Sequence, residues 1–335
     1  MKKIFIITLI VAALFSTGCS KKAENKSAKA VAVFVPGICD DSPTYAMLVE
    51  GITSAVNKFN AALSDDKKVE LFVMEAGTNQ AEWGPKITAL TAEQKYDVII
   101  SSNPSIPDLV EPILQQFPNQ KYILLDATKE GNQNIHTVCY NQYESAYLTG
   151  YVGSLMSKTH KMGLVAAQEY PVMNNIIYPY YEKGAKAAVA GTTVDFRVVG
   201  NWYDATKGAE LADALYKNKV DVILPICGGA AQGVINSAVN NGIYINWFDN
   251  NGFDRAPGTV ISSTTMEQVL MSEKVTTEFL NNQTPWGTAE MVGIKEGFVK
   301  FVDDDPNYIK TVPEDIRKIM ADLVQQIKTG ALSIE

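Results

Sequence analysis

Short apolar segments rich in β-branched residues alternate along the chain with longer segments in which apolar residues recur at helical spacing. AVAVFVP (30–36) predicts a buried strand, and the helical pattern YAMLVEGITSAVNKFNAAL follows it. The alternation continues through VELFVM, YDVIISS, KYILLDA and IHTVCYN, then restarts after residue 140 with MGLVAA, VDFRVVG, VDVILPI and YINWFD. Apolar strands separated by helices form parallel sheets covered on both faces. The pattern predicts an α/β fold of two Rossmann-like lobes.

The segments that directly follow the predicted strands point to a ligand site. Ligands of parallel sheets bind beyond the carboxyl ends of the strands, and in two lobes these ends can face each other across a cleft. The segments hold many of the chain's aromatic residues together with Asp, Asn and Gln; they are residues 36–45, 101–105, 140–144, 167–171, 201–204, 227–233 and 248–254. This composition is typical of a site that stacks a flat ring and binds its polar substituents.

The stretch NWYDATKG (201–208) is the most informative of these segments. Asp204 is a predicted helix N-cap, because its carboxylate can accept the free backbone N–H groups of the turn it begins. Trp202 and Tyr203 stand just before it, where water would normally reach them. We hypothesise that Trp202 forms one wall for a flat ligand ring.

The first 29 residues predict export. Lys2 and Lys3 precede an apolar run from Ile4 to Phe15, and small residues lead to Cys19. The run is shorter than the ~20 residues that span a bilayer, so residues 1–18 are predicted to be a signal peptide. Gly18–Cys19 resembles a lipobox, which predicts lipidation of Cys19 and a tether over 19–29; an ordinary cleaved signal with an incidental cysteine is the alternative.

Composition and charge narrow the class of protein. The rest of the chain is about twice a typical domain length, and 46% hydrophobic with 20% charged residues describes an ordinary soluble globule. A net charge of −8 argues against nucleic acid binding, which needs a basic face. Beyond Cys19 the cysteines are Cys39, Cys139 and Cys227, and their odd number and wide spacing fit neither a disulfide framework nor a zinc site.

Catalytic chemistry has no support in the sequence. The two histidines, His136 and His160, lack companions at metal-ligand or triad spacing. CGGAAQG (227–233) is glycine-rich but lacks a phosphate-loop lysine, so we interpret it as a tight turn rather than a nucleotide site. Asp40 and Asp41 are interpreted as capping or hydrogen-bonding groups, with an acid–base pair as the alternative. We predict that the chain is not an enzyme.

Eight segments in sequence order carry a family resemblance. They are GxxDDS with its following helix, YDVII, KYILLD, YNQYESAYLTG, KMGLVAA, WYDATKGAELADALY, GGAAQGV and FDNNGFDRAPGTVISS. Together they resemble the basic membrane protein family of substrate-binding lipoproteins, whose best-known members bind purine nucleosides for ABC importers. The resemblance implies a class I periplasmic-binding fold with a cleft between lobes. It places lobe 1 at 30–140 plus 249–283, and lobe 2 at 141–248 plus 284–335.

The resemblance also implies roles for residues. Family members hold the ligand base between two aromatic rings, and Trp202 matches the second; the first falls at Thr44, so Tyr45 is the substitute. Asp249 matches the residue that holds ribose hydroxyls. The family's lysine near the sugar is replaced by Met266, and its usual asparagine after the first aromatic is missing. Both departures lie where a nucleoside would be held.

We therefore predict riboflavin as the ligand, with a purine nucleoside as the alternative. The motifs resemble a riboflavin-binding spirochaetal branch of the family, and additional aromatics suit a ring system wider than a purine. The predicted ligand-binding residues are Trp202, Asp249, Tyr45, Asp41, Asn103, Tyr143, Trp83, Gly228, Gly229 and Trp247. Trp247 has a second interpretation as a core residue. A surface adhesin or sensor, and a nucleoside hydrolase, are rival classes.

The resemblance finally implies partners and a location. We expect a monomer that is lipid-anchored to a bacterial cell membrane, facing the periplasm or the exterior, and that delivers its ligand to an ABC permease. No metal or cofactor is expected apart from the transported riboflavin.

Overall fold

The predicted alternation of strands and helices is present in the computed structural model, which describes residues 29–334. Over this range the chain forms twelve strands: β1 Ala30–Val35, β2 Glu70–Glu75, β3 Val98–Ser102, β4 Tyr122–Leu125, β5 Ile135–Tyr140, β6 Lys161–Ala166, β7 Thr193–Val198, β8 Val222–Ile226, β9 Tyr244–Trp247, β10 Val260–Met266, β11 Ala289–Val292 and β12 Val299–Phe301. The signal peptide and the lipidation site at Cys19 lie outside the described residues.

Ten α-helices connect and cover these strands within residues 29–334. They are α1 Pro43–Asn60, α2 Trp83–Ala92, α3 Ile106–Gln116, α4 Gln142–Met156, α5 Tyr178–Ala188, α6 Ala205–Lys217, α7 Ala231–Asn241, α8 Gln268–Leu280, α9 Pro306–Thr311 and α10 Glu314–Thr329. Asp204 is the N-cap of α6 as predicted, since its Oδ1 accepts the Lys207 backbone N–H at 2.9 Å.

The strands form two six-stranded sheets, one in each lobe. The first has the order β11-β5-β4-β3-β1-β2 and is parallel throughout. The second has the order β12-β10-β9-β8-β6-β7, and only β12 among its paired strands runs antiparallel. All six residues of β1, AVAVFV, are buried, as expected for a strand with helices on both faces.

The chain crosses between the lobes three times, and the predicted lobe boundaries at residues 249 and 284 are both wrong. Strand β10 belongs to the second sheet and β11 to the first, so the crossings lie between β5 and α4, between β10 and α8, and between β11 and β12. The error at residue 249 has a physical reason: β10 pairs in parallel with the strand immediately before it, β9, so the connection stays within one sheet.

Candidate ligand-binding cleft

The cleft lies where the carboxyl ends of the two sheets face each other beside the crossing segments. Lobe 1 contributes the residues after β1, β3 and β4, and lobe 2 contributes those after β6, β7, β8 and β9. This is the arrangement that the sequence predicts for a ligand held between two parallel sheets.

Tyr45 and Asn103 form the lobe 1 wall. The Asn103 side-chain oxygen accepts the Ser105 backbone N–H at 2.9 Å, and its amide then donates to the Tyr45 hydroxyl at 3.2 Å. Burial raises the pKa of Tyr45 to about 12. The hydrogen bond from Asn103 lowers this pKa, while the charges of Asp126 and Tyr203 raise it further. The structure thus brings two predicted residues together, and the influence of Tyr203 reaches Tyr45 from the opposite lobe.

Trp202 and Tyr170 form the lobe 2 wall. Their ring centroids are 6.3 Å apart with an angle of 41° between the ring planes, and both side chains are half-buried. The backbone of the loop that carries Trp202 is fixed, because the Trp202 carbonyl accepts the Ala230 backbone N–H at 3.1 Å. Trp202 therefore presents a supported apolar surface rather than a mobile loop side chain.

Gly228 supports Trp202 through close backbone approach. Its φ of +56° is left-handed, and an added Cβ would lie 3.0 Å from the Trp202 carbonyl oxygen and 3.3 Å from the indole ring. Gly229 continues this turn, and its Cβ position lies 3.5 Å from the Tyr203 ring. The tight-turn interpretation of 227–233 agrees with this geometry.

Gly228→Ala is expected to weaken ligand binding about tenfold, because the new methyl group displaces the Trp202 ring. The strained φ should also lower the free energy of unfolding by about 1 kcal/mol. Ligand titration and thermal denaturation of the variant measure the two effects. Gly242→Ala, at a φ of +64° and with open space around its Cβ position, is the control for backbone strain. Equal affinities in the two variants would contradict the supporting role.

Two aspartates face the cleft from opposite lobes. Asp126 follows β4 with a φ of +50°, and Asp249 follows β9 with a φ of +71°; aspartate tolerates this region better than most residues. Burial raises the pKa of Asp126 to about 7, the Asp249 charge adds to the rise, and a hydrogen bond from Gln142 opposes it. Burial raises the pKa of Asp249 to about 6. Each carboxylate favours ligand groups that donate hydrogen bonds.

Asp41 and Tyr203 lie at the rim of the cleft. Asp41 is exposed in the 3-10 turn Cys39–Asp41, and the Tyr203 side chain is 55% exposed on the opposite lobe. Burial raises the pKa of Tyr203, and the Asp41 charge adds to this rise, so the two rims approach each other. The structure places the predicted residue Asp41 at the cleft entrance rather than at its floor.

Three predicted aromatic site residues are engaged by the protein itself. Trp83 is 6% exposed in the apolar cluster under α2 and α3, and its indole N–H donates to the Gly77 carbonyl at 2.8 Å. Trp247 is buried, bonds the Asn250 side chain at 2.6 Å and stacks against Arg255. The Tyr143 ring packs edge-on against Tyr180 at 4.6 Å. The prediction that these three residues line the ligand site is not supported by their surroundings.

Sequence reasoning did not select Asp126, Tyr170 or Gln142. Asp126 closes the segment KYILLDA and Tyr170 lies in AQEYP, directly after β6, so both occupy the strand ends from which ligand residues are drawn. Position alone therefore offered a signal for these two. Gln142 also lies after a strand, in the predicted segment 140–144, but its contact with Asp126 of the other lobe has no local signal.

The remaining reactive side chains show no second site within the described residues. Cys39, Cys139 and Cys227 are free thiols, and burial raises the pKa of each. Between residues 29 and 334, no group of three or more His, Cys, Asp or Glu side chains has the arrangement of a metal site. The same range contains no helix with the length and apolar character needed to cross a membrane.

Comparison with known proteins identifies the family. Residues 28–333 match the family described as ABC transporter substrate-binding protein PnrA-like. Basic membrane protein A of Borreliella burgdorferi is 26% identical over 308 residues, covering 90% of this chain and 87% of that protein. The ABC transporter nucleoside-binding protein BmpA of Lactococcus lactis is 27% identical over 146 residues, covering 44% of this chain and 41% of that one.

Solved structures support the fold. An ABC transporter solute-binding protein from Aeropyrum pernix superposes with a TM-score of 0.75 at 19% identity, covering 91% of this chain and 92% of its own. The predicted fold class and the family resemblance are confirmed. The chain belongs to the PnrA-like family of ABC transporter substrate-binding proteins, which bind a small molecule for a membrane permease and are not enzymes.

Proposed function

We propose that the protein binds riboflavin between its lobes and delivers it to an ABC permease. The observation that carries the proposal is the paired lobe 2 wall of Trp202 and Tyr170, set in a cleft whose lobe 1 wall is Tyr45. Tyr45 and Tyr170 belong to different lobes, yet the Asp126 charge raises the pKa of both. A three-ring isoalloxazine stacked on Trp202 would extend far enough to contact the tilted Tyr170 ring as well, whereas a purine is about the size of one indole.

The charges of the cleft support an uncharged ligand rich in hydrogen-bond donors. Burial raises the pKa of Asp126, Asp249 and Tyr170, and the charges that add to the rise at Asp126 and Tyr170 are those of the carboxylates themselves. Met266, which replaces the family's lysine, is 5% exposed, and its backbone N–H donates to the Asp249 carbonyl at 3.1 Å. The ring N–H and the ribityl hydroxyls of riboflavin supply donors for carboxylates, with no need for a protein cation.

Capture proceeds by closure of the lobes. A ring bound to one lobe is buried on its second face only when the other lobe moves over it, so the ligand stabilises the closed form by its higher affinity for that form. The permease would then recognise the closed protein. We further propose that a lipid on Cys19 anchors the protein, as a monomer, to the cell membrane near its transporter.

The proposal is tested by titrating purified protein with riboflavin, guanosine and inosine, following flavin fluorescence and heat of binding. We expect riboflavin to bind most tightly and its fluorescence to be quenched by Trp202, and protein isolated from cells to carry visible flavin absorbance. Tight nucleoside binding with no response to riboflavin would favour the alternative ligand, which the name of the Lactococcus relative also suggests. Absence of binding to all three would overturn the proposal.

The phosphorylated form of the ligand should be rejected. Flavin mononucleotide differs from riboflavin by a phosphate, which would enter a cleft that holds the two buried carboxylates of Asp126 and Asp249. Repulsion and uncompensated desolvation are expected to weaken its binding about 100-fold relative to riboflavin. Competition between the two flavins measures the ratio, and equal affinities would show that the phosphate stays outside the cleft.

A further inference from the structure

A hydrogen bond between the lobes links the hinge to the cleft. The Gln142 side-chain amide donates to Asp126 Oδ1 at 2.8 Å; Gln142 is the first residue of α4 in lobe 2, and Asp126 follows β4 in lobe 1. We propose that Gln142 is a positioning residue for the ligand, which holds the Asp126 carboxylate toward the cleft from the segment about which the lobes turn. The inference rests on the proposed function, because it assigns Asp126 to ligand binding.

The backbone around Gln142 is fixed by the neighbouring crossing. The Asn141 N–H donates to the Val292 carbonyl at 2.7 Å, and the Glu144 carboxylate accepts the Ile294 N–H at 2.8 Å. Val292 ends β11, and Ile294 lies in the connection between β11 and β12, which is the third crossing. The Gln142 side chain is 8% exposed. Its amide is therefore held in place by two of the three crossing segments.

The surroundings of Asp126 leave Gln142 as its hydrogen-bond donor. Asp249 raises the pKa of Asp126 through its charge, while Tyr45, Cys139, Tyr140 and Tyr170 each have a pKa that the Asp126 charge raises. Within residues 29–334, Gln142 is the one side chain that donates to this carboxylate. Without it, Asp126 would lose the donor that orients its carboxylate and lowers its pKa, and so would lose part of its charge.

Gln268, the second glutamine next to a crossing between the lobes, has different hydrogen-bond partners and supplies a matched control. Gln268 begins α8 directly after the second crossing, and it is fully buried. Its side-chain oxygen accepts the Tyr140 hydroxyl at 2.5 Å, and its amide donates to the Ser102 hydroxyl at 2.7 Å. Gln268 thus occupies the same position relative to a crossing but bonds no carboxylate in the cleft.

The test compares Gln142→Met and Gln142→Glu with Gln268→Met. In ligand-free protein, ¹³C NMR titration of the aspartate carboxyl groups, assigned with Asp126→Asn, should show the Asp126 midpoint about one pH unit higher in Gln142→Met. The rise should be larger in Gln142→Glu, where two carboxylates share the site. Gln268→Met should leave the midpoint unchanged even if it lowers the melting temperature. An unchanged midpoint in both Gln142 variants would overturn the inference.

Ligand binding provides the second readout. Riboflavin affinity in Gln142→Met should fall about tenfold at pH 7, and its pH profile should move upward together with the carboxyl midpoint. A fall in affinity with an unmoved pH profile would indicate a merely structural role and would contradict the inference. The NMR measurement needs no ligand, so wild-type protein that fails to bind riboflavin would refute the proposed function while leaving the positioning of Asp126 separately measurable.

Discussion

Trp202→Ala is expected to weaken riboflavin binding about 100-fold, the largest effect of any aromatic substitution in the cleft. Ring stacking contributes roughly 0.5–1.5 kcal/mol beyond the burial of apolar area, and loss of that burial brings the total to about 3 kcal/mol. The Tyr170 ring centroid lies 6.3 Å from that of Trp202. Tyr170 would therefore lose its ring partner and would not fill the space that the indole leaves. Flavin fluorescence titration of the purified variant measures the change.

Trp83→Phe is the matched control for this experiment. Trp83 is buried in the apolar cluster of lobe 1, and its indole N–H donates to the Gly77 carbonyl, so the ring is held by the protein itself. The substitution should lower the free energy of unfolding by about 1–2 kcal/mol through the lost hydrogen bond and the reduced packing, and should leave riboflavin affinity unchanged. If Trp202→Ala kept wild-type affinity, or Trp83→Phe lost it, the assignment of the two indoles would be reversed.

The fold was predictable because central strands such as β1 and β8 are apolar along their whole length. In β1 and β8, a continuous apolar sequence matches complete burial of every residue. The presence of two parallel sheets follows from the alternation of strands and helices. The lobe to which each strand belongs was harder to predict from the sequence. The sequence of β10 is equally compatible with either sheet, and its place is decided by pairing with β9. For this reason the boundary implied by the family resemblance, at residue 249, came before the observed crossing between β10 and α8.

The site was predictable where a residue acts through its position after a strand. Trp202 and Asn103 were predicted from this position, whereas Tyr45 and Asp249 were predicted from the family resemblance; Asp126 satisfied the positional criterion without being selected. Trp83 shows the opposite failure: an aromatic beside a loop resembles a ligand contact, while the Gly77 carbonyl that satisfies its N–H is a tertiary partner. Gln142 lies in the predicted segment 140–144, but its hydrogen bond to Asp126 joins two lobes, and no local pattern predicts such a contact.

The cleft aspartates share a property that links ligand binding to stability. A pKa of about 7 for Asp126, above the value of about 3.9 in an unfolded chain, means that folding favours the protonated carboxyl. The ionised group therefore destabilises the ligand-free protein at high pH, and this penalty shrinks as the pH falls from about 8 toward 4. Binding has the opposite sign, because ligand donors favour the ionised carboxylate, so affinity should be lost as the pH falls through 7 and 6.

Asp126→Asn separates these two effects. The neutral amide removes the cost of burying the charge and, secondly, the repulsion with Asp249. The ligand-free variant should therefore be more stable than wild type at pH 8 by on the order of 2 kcal/mol, allowing for partial exposure to solvent. Its riboflavin affinity should fall about 30- to 100-fold, because a hydrogen bond to a charged acceptor is lost. The remaining pH dependence of binding should then follow Asp249, with a midpoint near 6.

Thermal denaturation and ligand titration from pH 5 to pH 8 measure both quantities. Asp195→Asn is the control for removal of a carboxylate, since Asp195 lies on β7 and pairs with Arg197 at 2.8 Å; it should gain no stability and keep wild-type affinity. An Asp126→Asn protein that loses stability at pH 8 would show that the native carboxylate is satisfied without ligand. That result would contradict a cleft in which two carboxylates are held close together until a ligand donates to them.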